Sequence, residues 1–404
     1  LGLMPWYIIG PKIAKLGKKS NYITMGDFLG DRYVSKLLTI LVGIVAILAF
    51  IPYLTLQIKG MAYIFNVLTD GNIPFWLGAF LAFGIVVIYV ATSGVRGAAW
   101  SDVFQAILML IIAWVLGIYF VEKLHGGLET MFSNIASDNA DFLLIGKEGS
   151  SISANRYSSN IIVSMLGFVM WPHLFTKSYT TTARRIKLTV VAYPIFAIFL
   201  LPVLFIGFAG VGVVAESSIE NSGQILPYLI TNHLSQSGLL YGLVGAGALA
   251  AAMSSSDAIT HGASVSFGRD ICKVIYPKMS EATELWVMRF GVFGVGLTAY
   301  LLAIYGGEGL IQLLLGAYGP IVQLAPSVYA ALFWKRASKT AVILGLITGV
   351  IVTIYYQYFA NEVLYDLHPG LIGLIINIIL VFLLSYFSVQ SDKEKQKAEI
   401  FTSV

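Results

Sequence analysis

Apolar residues in this chain come in long runs, with neither the alternation of a half-buried strand nor the single stripe of a surface helix. About 20 helical residues are needed to cross a hydrocarbon layer about 30 Å thick. Runs of that size fall at roughly 36 to 68, 75 to 92, 98 to 121, 159 to 180, 188 to 213, 238 to 266, 286 to 305, 308 to 334, 340 to 359 and 369 to 388. They predict an all-α polytopic membrane protein with ten full spans. Residues 1–16 read as the last turns of one more helix, already under way at Leu1 and ending at the breaker pair Gly10 and Pro11. With no initiator Met or signal peptide ahead of it, Leu1 is expected to be a truncation point. The expected organisation is one transporter-like domain over 1–390 and a polar tail over 391–404.

Composition agrees with a bilayer. Apolar residues make up 57% of the 404 and charged residues only 11%, with a mean hydropathy of +0.81, far from the balance of a soluble domain. The single cysteine, Cys272, excludes an intramolecular disulfide and argues against a thiolate metal site. A net charge of +4 would ordinarily raise nucleic acid as a partner, but its placement assigns it to the membrane. Lysines and arginines gather in alternate loops: Lys12 to Lys36, Arg96, Lys177 to Lys187, Arg269 to Arg289, Lys335 to Lys339, and Lys393 to Lys397 hold 21 of the 25. The other loops carry only Lys123, Lys147 and Arg156, with acids including Asp70, Glu216, Glu220 and Asp366. Positive residues are retained inside. The pattern predicts a multi-pass protein of the cell membrane with its C-terminus in the cytoplasm.

Two spans are interrupted at membrane depth, where freed backbone groups must face protein or a water-lined cavity. One holds Gly167, Trp171, Pro172 and His173; the other holds Gly316, Gly319, Pro320 and Pro326. Pro52 is expected to bend the span at 36–68. The richest intramembrane polar set lies in GALAAAMSSSDAITHGASVSFGR, Gly247 to Arg269. Helical spacing puts Ser254, Asp257 or Ala258, His261, and Ser264 or Val265 on one face, which cannot face lipid. Asp257 and His261 at i, i+4 are placed to hydrogen-bond and share a proton or line an exit path. The small residues Ala250, Ala251 and Ala252 let another backbone approach. Oxygen ligands of this kind suit a hard cation such as sodium. Asp102 with Gln105, at the start of the span at 98–121, reads either as a helix-start acid or as part of an inward exit.

The stretch NSGQILPYLITNHLSQSGLLYGLVGAGALAAAMSSSDA, Asn221 to Ala258, resembles the signature region of the sodium/solute symporter family. That family includes sodium/proline, sodium/pantothenate, sodium/monocarboxylate, sodium/sialic acid and sodium/glucose carriers. GPKIAKLGKKSNYITMGDFLGDRY (Gly10 to Tyr33), SGVRGAAWSDVFQ (Ser93 to Gln105), HLFTKSYTTTARRIK (His173 to Lys187) and APSVYAALFWKR (Ala325 to Arg336) support it in the family's order. The resemblance implies the inverted-repeat fold of the leucine transporter and a main sodium site on Ala251, Ser254 and Ser255. It also implies that the first core helix and most of the second are missing. Asp102 corresponds to the acid that some members use for a second sodium site or for release. Asp257 and Ala258 stand where two-sodium members have further hydroxyls, so that second site is not expected in the same form. Gln57, Trp171 and Gln323 are the expected substrate-cavity residues.

The implied function is sodium-coupled symport of a small polar or anionic solute, of monocarboxylate or pantothenate type rather than a sugar, by a monomer or weak oligomer in the bilayer without nucleic acid. Proton coupling through Asp257 and His261 is the alternative. A membrane sensor domain is more distant, because only a short polar segment follows the last span. No enzyme motif of the HExxH, GxSxG or phosphate-loop kind is present.

Overall fold

The computed structural model describes residues 2–138, 140–147, 152–214, 222–234, 238–307 and 309–404, with the side chains of 91–101, 196, 199, 222, 239 and 240 outside that description. Arg96, Glu216 and Glu220 therefore lie outside the described residues. Seventeen helices are used below: α1 Met4–Ser20, α2 Met25–Arg32, α3 Lys36–Leu68, α4 Phe75–Val90, α5 Asp102–His125, α6 Leu128–Asp138, α7 Ala154–Met170, α8 Pro172–Thr180 and α9 Ala183–Ala209. Then follow α10 Ile225–His233, α11 Gly238–Val265, α12 Glu281–Tyr305, α13 Leu310–Val322, α14 Ala325–Phe333, α15 Lys339–Tyr358, α16 Pro369–Phe387 and α17 Asp392–Thr402. Among the described residues, eight helical spans are long and apolar enough to cross a membrane, the bent pair α7 and α8 makes a ninth, and α4 is a shorter apolar helix.

The central helix is α3, which packs against α4, α11, α12 and α13. Its Thr55 donates to the carbonyls of Ile51 and of Ala299 on α12. Helices α4 and α5 belong to one helical stretch, Phe75–His125, yet they run in opposite directions. The ring of Phe75 lies 5.0 Å from Tyr63 near the end of α3, while Val67 at that same end packs with Leu116 and Phe120 of α5. Close approach uses missing side chains, as expected where lipid gives helices no hydrophobic reason to associate. A Cβ on Gly117 of α5 would fall 2.8 Å from the carbonyl of Pro202 on α9.

Several of the charged loop residues are held by ion pairs and hydrogen bonds to neighbouring loops. At one end Arg32 donates to the carbonyls of Ala331 and Trp334, Lys397 pairs with Asp31, and Arg269 and Lys273 pair with Glu284. At the opposite end Arg156 pairs with Asp366 at 2.6 Å and Asn155 donates to the carbonyl of Tyr365.

Three features depart from the sequence reading. Helix α1 does not stop at Gly10 and Pro11 but continues to Ser20, capped by Asn21 in the left-handed region. Gly10 there admits the Trp6 indole, so the glycine serves packing inside the helix. Past Val265 the helix α11 goes on as a π-helix, Ser266–Lys273, whose wider turns bury Asp270 against the hydroxyl of Thr24. The segment expected to be a polar tail folds as α17, with a Ser391 and Glu394 capping box and Phe401 1% exposed.

Candidate functional site

The site begins with the break between α7 and α8. Trp171 has extended backbone, φ −60 and ψ 119, because Pro172 disfavours helix in the residue before it. The two pieces meet at 48°, and the break predicted at Trp171 and Pro172 is therefore present. Trp171 is 1% exposed and packs on Phe50, Tyr53 and Tyr318 at ring distances of 5.7, 5.0 and 5.5 Å. It is packed within the bundle next to Pro172, which lines a cavity.

That cavity, about 450 Å³, lies between α8, α11, α5 and the segment joining α1 to α2. The α8 wall supplies Pro172, His173, Thr176, Lys177 and Thr180; the α11 wall supplies Asp257, Ala258, His261, Gly262 and Val265. Asp102 and Val90 close a third side and Tyr22 to Met25 form the rim. Lys177, Thr180 and His261 are exposed, so the cavity opens toward the basic end of the bundle.

At its deep end the two acids have different surroundings. Ser254 donates its hydroxyl hydrogen to Asp102 Oδ1 at 2.9 Å, bringing together residues 152 apart in sequence. That bond uses the single hydroxyl hydrogen of Ser254; Ala251 and Ser255 are its neighbours on α11. Both of these are half-buried. Ser256, in contrast, is fully buried and donates to the Ala252 carbonyl at 2.7 Å, so it is committed to its own helix. Among the described residues no three His, Cys, Asp or Glu converge as a transition-metal site would require.

Asp257 is 3% exposed; its Oδ1 accepts from the Ala258 N–H at 3.0 Å, while Oδ2 is buried without a partner among the described residues. It does not hydrogen-bond to His261, although both line the cavity as their spacing predicts. The expected pair is corrected to two separate groups: the carboxylate turns back to its own backbone and the imidazole faces the opening. Gln105, one turn beyond Asp102, is 9% exposed with Oε1 unpartnered, and lies off the cavity wall.

None of the three expected substrate-cavity residues lines this cavity: Trp171 packs in its own aromatic cluster beside it. Gln57 is half-buried on α3, one turn beyond Tyr53, and does not line the cavity. Gln323 is fully buried at the joint between α13 and α14, where Nε2 donates toward the carbonyls of Gly319 and Gly370 and the Thr353 hydroxyl, and Oε1 accepts from Asn377. Gly349 and Gly373 leave the room its side chain fills. Gln323 is a knot tying the broken span to α15 and α16, and a broken helix needs such a knot for its freed backbone groups. Gln323→Ala is expected to cost about 2–3 kcal/mol of stability. It should lower the melting temperature of the purified protein and leave sodium and solute half-saturation within about twofold; a large rise in solute half-saturation alone would return Gln323 to the substrate site.

The rim residues Tyr22 to Met25 and the cavity role of Lys177 escaped the sequence reading. No spacing rule links the stretch His173 to Lys187 to a rim some 150 residues earlier.

Residues 1–349 match the sodium:solute symporter family. The chain belongs to that family. It is 29% identical over 395 residues to the symporter YhjB of Bacillus subtilis, covering 94% of this chain and 79% of that one. It is 28% identical to the sodium/pantothenate symporter of Escherichia coli (92% and 76% covered) and 25% identical to the monocarboxylate transport permease protein of Rhizobium johnstonii (85% and 68% covered). A solved sodium-coupled sialic acid symporter, substrate-bound and outward-open, superposes with a TM-score of 0.67 at 19% identity, covering 95% of this chain and 84% of that one. The symporter fold is therefore the inverted-repeat fold of the leucine-transporter type, sodium is the coupling ion, and the protein is a multi-pass membrane protein.

Proposed function

We propose that this symporter imports a small organic acid, of monocarboxylate or pantothenate type rather than a sugar, together with sodium held by Ala251, Ser254 and Ser255. The observation that carries the reading is the Ser254 to Asp102 hydrogen bond at the deep end of a cavity about 450 Å³ in volume. It orients one sodium ligand beside a route for both ion and solute. Among the described residues Lys177 is the only Lys or Arg lining that route, and no Asn or Gln lines it. A sugar needs a polar partner for each hydroxyl it desolvates, whereas a short acid needs one cation and apolar walls such as Pro172, Ala258 and Val265 provide. The names of the pantothenate and monocarboxylate relatives point the same way.

Positive residues are retained on the cytoplasmic side, so the basic end faces the cytoplasm, with α17 and the C-terminus there. The cavity then opens inward, with the Trp171 cluster beside it. In this state sodium and solute leave toward Lys177 and Thr180. Asp102 and Asp257 form an acidic wall for the ion, with His261 at the opening. The carrier works as a monomer or weak oligomer in the bilayer.

The test is uptake into proteoliposomes of a panel of labelled acids, amino acids and sugars under an imposed sodium gradient. A carboxylic acid should accumulate only when sodium is higher outside. Sodium-driven uptake of a sugar without any acid would overturn the substrate class, and uptake driven by a pH gradient alone would overturn the assignment of sodium to Ser254 and Ser255.

A further inference from the structure

We infer that α17 is a strap that holds the cavity open at the basic end, so that the C-terminal segment sets how long the carrier stays open on that side. This rests on reading the cavity as the carrier's aqueous route. The strap is anchored at the corner between α14 and α15. Glu394, 2% exposed, accepts the Lys339 N–H at 3.0 Å, and Gln390 donates to the carbonyls of Lys335 and Ala337 at 2.9 and 2.8 Å.

From that anchor two chains of contact reach the two cavity walls. The first is polar: Lys397 Nζ pairs with Asp31 at 2.6 Å, and Asp31 also accepts the hydroxyl of Tyr22, which lines the cavity rim. The second is aromatic: Phe401, 1% exposed, meets the Phe28 ring at 5.1 Å, and Phe28 meets Phe175 at 5.3 Å, both edge-on. Phe175 lies on α8 between His173 and Thr176, which both line the cavity. A single short helix thus touches the rim through Tyr22 and the broken helix through Phe175. Those walls must approach each other for the cavity to close, and they cannot do so without dragging or releasing α17.

The strap is also built to let go. Most of Asp392–Thr402 is charged or polar, and the Lys397 to Asp31 pair is part-exposed, with side chains 36% and 30% accessible, so water can take over its polar half. Its apolar hold is confined mainly to Ala398 and Phe401. Release therefore leaves the spans intact and frees the rim.

The experiment uses the carrier in membrane vesicles with its sole cysteine removed, Cys272→Ser, and a reporter thiol at Val265→Cys on the α11 wall, labelled by a membrane-impermeant maleimide from the basic side. Lys397→Glu is expected to lower the labelling rate about threefold or more, Phe401→Ala to do the same, and Lys397→Arg to restore the parent rate. Deletion of 391–404 should lower it further. Unchanged labelling in Lys397→Glu and Phe401→Ala would overturn the strap, as would equal slowing in Lys397→Arg. If the deletion fails to fold, the three point variants decide. Labelling of the parent that does not respond to sodium or solute would instead count against the aqueous-route reading, so the two failures are distinguishable.

Discussion

Ser254→Ala is expected to raise the sodium concentration for half-maximal uptake by roughly 10-fold to 100-fold, with a smaller rise in Ser255→Ala. A hydrogen bond or ligand contact to a charged group contributes about 1.5–3 kcal/mol, and each 1.4 kcal/mol is about tenfold. Ser254 is placed for the larger effect because its single hydrogen is already committed to Asp102 Oδ1 at 2.9 Å, so only its lone pairs are left to meet the ion. Asp102→Asn retains an oxygen acceptor for that hydrogen and should move sodium half-saturation less than Asp102→Ala, which releases the hydroxyl to rotate. Sodium titrations of initial uptake at saturating solute measure all four. Sodium dependence unchanged in Ser254→Ala would remove this residue from the ion site.

The spans were legible because lipid leaves so few solutions: a run such as Lys36–Leu68, with Lys59 its only charge past the first residue, can hardly be anything but a crossing helix. The break at Trp171 and Pro172 was legible for a similar local reason, since proline restricts its predecessor whatever surrounds it. The polar stripe on α11 was legible by periodicity, and Asp257 and His261 do face one cavity. Periodicity fixes a face, however, and not the partner across it. Nothing in the spacing joined Ser254 to Asp102, or told that Asp257 would turn to the N–H of Ala258 instead of His261. Gln323 was misread because a buried amide in a broken span looks the same in sequence whether it meets a solute or neighbouring backbone. The three acceptors on Thr353, Gly319 and Gly370 come from elements that only the fold assembles. Helix α17 was missed because polar composition was read as solvation, when two buried apolar side chains one turn apart, Ala398 and Phe401, join polar anchors such as Glu394 and Lys397 in docking it.

Asp257→Asn is expected to cut turnover at saturating sodium about tenfold while changing solute half-saturation about twofold or less. Asp257 Oδ2 is buried, without a partner among the described residues, and on the wall between the Ser254 site and the opening, so a sodium leaving toward the basic end passes a carboxylate with one oxygen still free. A unit charge about 5 Å from the ion, at an effective dielectric of about 20, is worth roughly 3 kcal/mol. Losing even half of that from a release step slows it about tenfold. The amide keeps the shape and the bond from the Ala258 N–H, so the walls and the solute's contacts are preserved and binding from the other side is spared. Initial-rate uptake against solute concentration, with exchange of labelled solute across equilibrated membranes as the companion measurement, separates the two effects. Exchange that bypasses net sodium release should stay fast while net uptake slows. If binding and turnover fall together, Asp257 is a ligand of the bound ion itself, and if neither changes, its carboxylate serves only to hold the turn of α11 at Ala258.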